Sequence, residues 1–184
     1  WIKKEGLPLE GEPGAFAAAV LSTPAAAQPP ATTFVQAGRV MIDPASGKVE
    51  TAKTLVIQGG KVVRIADGYV SEPGGKVIDL KSSFVLPGLI DSHVHLTSQS
   101  NPNQRLEEVT QSSAEQAMVG ARYARRTLMA GFTTVADLGG DNDAVFALRK
   151  ATAQGDVPGP RIIAAGSAIS VHGGHGDVNG LRED

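Results

Sequence analysis

The sequence predicts an α/β chain in which a small β layer precedes alternating strand–helix units of a parallel sheet. Three observations predict it. Short apolar runs separated by Gly, Pro and Asp turns fill residues 34–86. Strand-like runs at 89–95, 132–138 and 161–165 then alternate with two helical patterns, an order that belongs to a parallel sheet with crossover helices. The first of those runs ends in His93-Val94-His95, which an extended strand would present on one face.

Residues 1–33 read differently from the rest. Lys3 and Lys4 precede the apolar Ala15-Phe16-Ala17-Ala18-Ala19-Val20-Leu21, and Ala25-Ala26-Ala27 follows. These are the parts of a secretory signal peptide, interrupted by Glu5, Glu10 and Glu12. A degraded signal peptide would make the protein periplasmic or secreted. The alternative is an Ala/Pro-rich disordered leader on a cytoplasmic protein. Either way no packed structure is expected before Thr32.

In the β layer, residues 34–43 form a strand that ends at the turn Asp43-Pro44-Ala45-Ser46-Gly47. Residues 54–58 and 61–66 form a hairpin across Gly59-Gly60, a dipeptide that accepts positive φ without steric cost. A fourth strand covers 76–80, and together the four make a small β-sandwich-like domain over 34–86. Residues 97–110 are polar and read as a loop. Ser112 and Glu115 make a capping box for a helix with Ala117, Ala121, Ala124 and Leu128 on one stripe and Gly131 just past its end. Asn142 or Asp143 caps a second helix, which Gly155 stops.

Strict alternation from 89 to 95 puts Asp91, His93 and His95 on one face and Ile90, Ser92 and Val94 on the other. Both imidazoles then converge at the strand's end, as two ligands of one zinc or other divalent ion must. The alternative is a half-buried strand whose histidines meet only water or backbone. Asp91 reads as a carboxylate that supports the histidines or hydrogen-bonds in the core, with a ligand role as the alternative, and Asp137 reads as a loop cap.

The run Leu86-Pro87-Gly88-Leu89-Ile90-Asp91-Ser92-His93-Val94-His95 resembles the metal-dependent amidohydrolase superfamily. Ala130-Gly131-Phe132-Thr133-Thr134-Val135-Ala136-Asp137-Leu138-Gly139-Gly140 is similar to that family's second strand and its loop. Gly159-Pro160-Arg161-Ile162-Ile163-Ala164-Ala165-Gly166 is similar to its third. Together they resemble the imidazolonepropionase-like branch with its Xaa-Pro and Xaa-Arg dipeptidases. Ala136 stands where that branch often carries Arg, and His172 where it carries Thr.

The resemblance implies the N-terminal part of a (β/α)8 TIM barrel, about three strand–helix units over 87–184. It implies His93 and His95 as metal ligands, one or two divalent ions (most simply zinc), and metal-activated water that hydrolyses a small peptide or other amide substrate. It also places His172 and His175 on the loop after the third strand, where they would contact substrate; a third metal ligand and a merely flexible glycine-rich loop are the alternatives. A complete barrel needs about 250 residues. The expectation is therefore the beginning of a longer enzyme, whose catalytic residues would come from later strands beyond Asp184. Without them the 184 residues are expected to be inactive. Unpaired strand edges would favour self-association.

Composition excludes other classes. A formal net charge of −2, from 17 basic and 19 acidic residues, argues against a nucleic-acid surface, and 4% aromatics leave few rings for base stacking. With no cysteine there is no disulfide or thiolate ligand. No apolar run reaches the roughly 18 residues of a membrane span. Three alternatives stand beside the peptide hydrolase: a cyclic-amide hydrolase or deacetylase of the same superfamily, a non-catalytic truncated protein that only self-associates, and a simple metal-binding module.

Overall fold

A computed structural model of the chain describes residues 31–172, Gly174 and Gly176. Most of the expected leader, residues 1–30, lies outside the described residues, as do His175 and the last stretch, 177–184, with Asp184. The first strand, β1 (Thr33–Asp43), is followed by β2 (Lys48–Gln58), β3 (Lys61–Asp67) and β4 (Lys76–Val85). They form one four-stranded sheet in the order β3-β2-β1-β4. β1 runs antiparallel to β2 and parallel to β4. As a central strand it carries most of this sheet's core: Phe34, Val35, Ala37 and Val40 are buried. The β2–β3 hairpin turns at Gly59 and Gly60 with φ of 55° and 74°, as its Gly-Gly loop predicts.

Two strands are longer than their composition predicts. β2 begins at Lys48 rather than 54, because the polar stretch 48–53 pairs along β1 and its charges meet one another. Glu50 bridges Lys48 at 2.9 Å and Lys53 at 2.6 Å, and Lys53 also binds Asp67. β4 runs on to Val85 after its register against β1 shifts between Ala37 and Arg39. Gly38 lies at that shift, and a Cβ there would collide with the Lys81 carbonyl. The buried polar groups are satisfied internally. The Thr54 hydroxyl donates to the Gly68 carbonyl and accepts the Val70 N–H, and the Gln36 amide donates to the Val70 carbonyl.

The remaining elements are β5 (Leu89–Val94), α1 (Gln104–Thr110), α2 (Ser113–Met129), β6 (Phe132–Asp137), α3 (Asn142–Gln154) and β7 (Arg161–Ala164). β5, β6 and β7 form an open parallel sheet in that order. This is a mixed α/β fold of alternating strand–helix units, and among the described residues its three parallel strands form an open sheet, not a closed barrel. Leu96, Ala124, Val135, Leu148 and Ile162 form its core, flanked by Val94, Ala121, Phe132 and Ala164. Ile90 and Ile163, by contrast, are 72% and 61% exposed. No helix among the described residues is long and apolar enough to cross a membrane.

The capping box of α2 forms as expected: Ser112 Oγ accepts the Glu115 N–H, and the Glu115 carboxylate accepts the Ser112 N–H. Two expectations are corrected. Residues 97–110 are not all loop, since α1 occupies their second half. Its Leu106 and Val109 are 60% and 49% exposed, so no buried stripe marks the helix in the sequence. The cap of α3 is Asp141, one residue before Asn142 and two before Asp143. Asp141 Oδ1 accepts the Ala144 N–H at 2.9 Å, while the Asn142 side chain accepts the Ser167 N–H across the loop after β7.

Candidate metal centre

The His93 and His95 rings lie together at the end of β5, centroids 5.3 Å apart and planes inclined at 71°. Val94 between them points into the core. With a metal–nitrogen distance of about 2.05 Å, a ring radius of about 1.15 Å and a tetrahedral angle of about 109°, two imidazoles on one ion would hold their centroids about 5.2 Å apart. The observed separation fits one shared ion.

His95 is further constrained. Its Nδ1 lies 2.8 Å from the Gly139 carbonyl oxygen. A carbonyl can only accept, so Nδ1 carries the proton and the Nε2 lone pair is left for a ligand. This is the arrangement that metal-bound histidines adopt. Gly139 comes close because it has no side chain: a Cβ would stand 3.1 Å from His95 Cε1. The acceptor was invisible in the sequence, where Gly139-Gly140 marks only a loop. The signal that could have found it is a glycine pair two residues past the end of the neighbouring strand.

Asp137, fully buried at the end of β6, caps this region as expected. Its Oδ2 accepts the Leu96 N–H at 2.9 Å and its Oδ1 the Gly139 N–H at 3.4 Å. Asp91 departs from simple alternation. It pairs with Val135, and Val94 pairs with Asp137, so three steps of β5 answer two of β6. That bulge changes the phase of the strand, and Asp91 is not in step with the two histidines. Its Oδ1 accepts the His93 backbone N–H at 3.0 Å.

His172 is exposed on the loop after β7. Among the described residues no group of three or more His, Cys, Asp or Glu side chains could hold a metal, so the pair stands as two donors. The catalytic residues expected beyond Asp184 are not among the described residues, and Asp184 itself, like His175, lies outside them. A polar cavity of about 100 Å³ lies beside the loop after β5, lined by residues that include Gln99, Asn101, Glu107, Arg122 and Tyr123; neither histidine of the pair lines it.

Comparison with known proteins agrees with this architecture. The chain is 38% identical over 87 residues to a dihydroorotase of Anaeromyxobacter sp. (strain K), covering 47% of this chain and 19% of that protein. It is 36% identical over 119 residues to a dihydroorotase of Pelotomaculum thermopropionicum, covering 62% and 24%. Among solved structures it resembles a Xaa-Pro dipeptidase with bound methionine in the active site, with a TM-score of 0.71 and 34% identity over 83% of this chain and 38% of that one. It also resembles a prolidase complexed with N-methylphosphonate-L-proline, with a TM-score of 0.68 and 35% identity over 78% and 34%. The chain thus spans about a fifth to a quarter of those dihydroorotases and just over a third of those two solved chains. The model of the amidohydrolase family matches residues 84–183, more than half of the sequence, and the chain belongs to that family.

Proposed function

We propose that His93 and His95 are two ligands of a divalent ion, most simply zinc, in a hydrolase that cleaves a peptide C–N bond. The observation that carries the reading is the pair itself: a centroid separation suited to one shared ion, with the His95 tautomer set by the Gly139 carbonyl. A bound ion would polarise the scissile carbonyl and activate water at neutral pH. The chain's own part is to aim two neutral imidazoles from a rigid strand end. Asp91 steadies the His93 backbone, His172 on the loop after β7 contacts substrate, and so does His175, three residues on in the sequence. Catalytic zinc usually takes three protein ligands. On this reading the groups that complete the site follow Asp184. Two donors should therefore bind zinc weakly and give the 184 residues no turnover of their own.

The dipeptidase branch is supported by the two solved structures, which are 34% and 35% identical over 83% and 78% of the chain. The cyclic-amide reading is supported by the dihydroorotase relatives over a shorter span. Calorimetric titration of zinc into the metal-free chain tests the metal site. One weakly bound ion, lost in His93→Ala and in His95→Ala, is expected. Tight binding that survives both substitutions would place the ion elsewhere. Turnover of an Xaa-Pro dipeptide against dihydroorotate, by the protein that carries this chain, tests the branch. Preference for the cyclic amide would reverse the assignment.

A further inference from the structure

We propose that Asp137 is a positioning residue for His95, because one buried carboxylate holds both ends of the hydrogen bond that sets the His95 tautomer. Asp137 is 0% exposed, and its two oxygens divide between two chain segments. Oδ2 holds the N–H of Leu96, the residue directly after His95. Oδ1 holds the N–H of Gly139, whose carbonyl accepts from His95 Nδ1. The donor's backbone and the acceptor's peptide are thus tethered to the same side chain. Backbone bonds frame the clamp: the Leu138 N–H donates to the Val94 carbonyl and the Ala165 N–H to the Asp137 carbonyl.

The chemistry calls for a carboxylate. Burying an ionised group is costly unless hydrogen bonds compensate it. A lone loop cap needs one acceptor, which Asn or Ser supplies at lower cost. Two N–H groups from separate segments need an acceptor at each end of the side chain, and ionised Asp provides two. Asn at this position would turn its NH2 toward one of the two donors. Either Leu96 or Gly139 would then be released, and with it one side of the His95–Gly139 contact.

The role bears on catalysis only through the reading of His95 as a metal ligand, but the tautomer is measurable without metal. The test is nitrogen-15 NMR of the imidazole rings in the metal-free 184-residue chain, above the pH at which the rings titrate. Wild-type His95 is expected as the Nδ1–H tautomer. Asp137→Asn, with its fold checked by the backbone amide spectrum, is expected to show a mixture with the Nε2–H form. Zinc affinity should fall by about 10- to 100-fold, the usual cost of losing a group that orients a metal-binding histidine.

A folded Asp137→Asn that keeps both the wild-type tautomer and the wild-type zinc affinity overturns the proposal. If Asp137→Asn does not fold, Gly139→Ala carries the test. It keeps the carboxylate but sets a Cβ 3.1 Å from Cε1 and 3.4 Å from Nδ1 of His95, which pushes the ring off the carbonyl by a few tenths of an ångström, weakens that bond and should admit the Nε2–H form. An unchanged tautomer there overturns the proposal. A wild-type chain that binds no zinc, yet loses the Nδ1–H tautomer on substitution of Asp137, refutes the metal site and leaves the positioning role standing.

Discussion

Gly120 sits in the interior of α2, where alanine would favour the helix by about 1 kcal/mol. The surroundings oppose that gain. A Cβ there would stand 2.9 Å from Leu148 Cδ2 on one side and 3.2 Å from Thr97 Cγ2 on another, with the Leu96 carbonyl oxygen at 3.5 Å. Leu148 and Thr97 are 3% and 4% exposed, so neither has open solvent to move into. Overpacking of this kind costs about 1–3 kcal/mol. Set against the helix term, Gly120→Ala should destabilise the protein by about 1 kcal/mol. Leu148→Ala, costing about 2–5 kcal/mol alone, removes the closer neighbour. In that background Gly120→Ala should become stabilising, by about 0.5–1 kcal/mol, because the new methyl enters the vacated space and the helix term survives. The assay is urea unfolding of the four proteins followed by far-ultraviolet circular dichroism, with equal m-values as the condition for comparison. A stabilising Gly120→Ala in the wild-type background would refute the reasoning, as would the same effect in both backgrounds.

Ser112→Ala should cost about 1 kcal/mol in the same assay, because it removes the side-chain acceptor of the α2 capping box; no change in midpoint would show that the box is redundant. Lys53, then Lys48, hold the Glu50 carboxyl down to about 2 from 4.5, so its contribution is present above pH 4.5 and lost as pH falls toward 2. Melting temperature should therefore fall more steeply over that acid range in the wild type than in Glu50→Gln, and the difference should shrink with added salt; parallel curves would refute it. Gly38→Ala drives a Cβ into the Lys81 carbonyl and should unseat β4 from β1, read as lost amide exchange protection along 76–85; retained protection would show that the backbone yields there.

Much of the fold was legible because local chemistry and tertiary demand agree. The Gly59-Gly60 turn, the Ser112–Glu115 box, Gly131 and Gly155 are each dictated within a few residues. The convergence of His93 and His95 followed from strand periodicity alone. What stayed hidden depends on partners distant in the chain. The first half of β2 is polar and becomes strand because β1 offers it a ladder. α1 lacks a buried stripe, and Asp141 outcompetes Asn142 for the cap of α3 because Asn142 is held by the loop after β7. The phase of Asp91 was misjudged because alternation assumes an unbroken ladder, and the bulge against β6 is a property of the pair of strands. The Gly139 carbonyl lies 44 residues from His95, and backbone acceptors leave no mark in a side-chain pattern.

Only Leu86, Pro87 and Gly88 separate the end of β4 from the start of β5. Four Cα steps, from Val85 to Leu89, reach at most about 14 Å when fully drawn out. Pro87 removes one torsion from that stretch, and Gly88 lies so close to Thr133 that any Cβ would strike it. A connection this short, with one torsion fixed and one residue confined to glycine, has few conformations open to it. If β4 slid by one residue along β1, its own side chains would swap faces and the point from which the connection departs would move by about 3.3 Å. The Gly38–Lys81 crossing then acts like the zero mark on a ruler: through three residues of limited reach, it bounds how far from β4 the strand that carries the two imidazoles can begin.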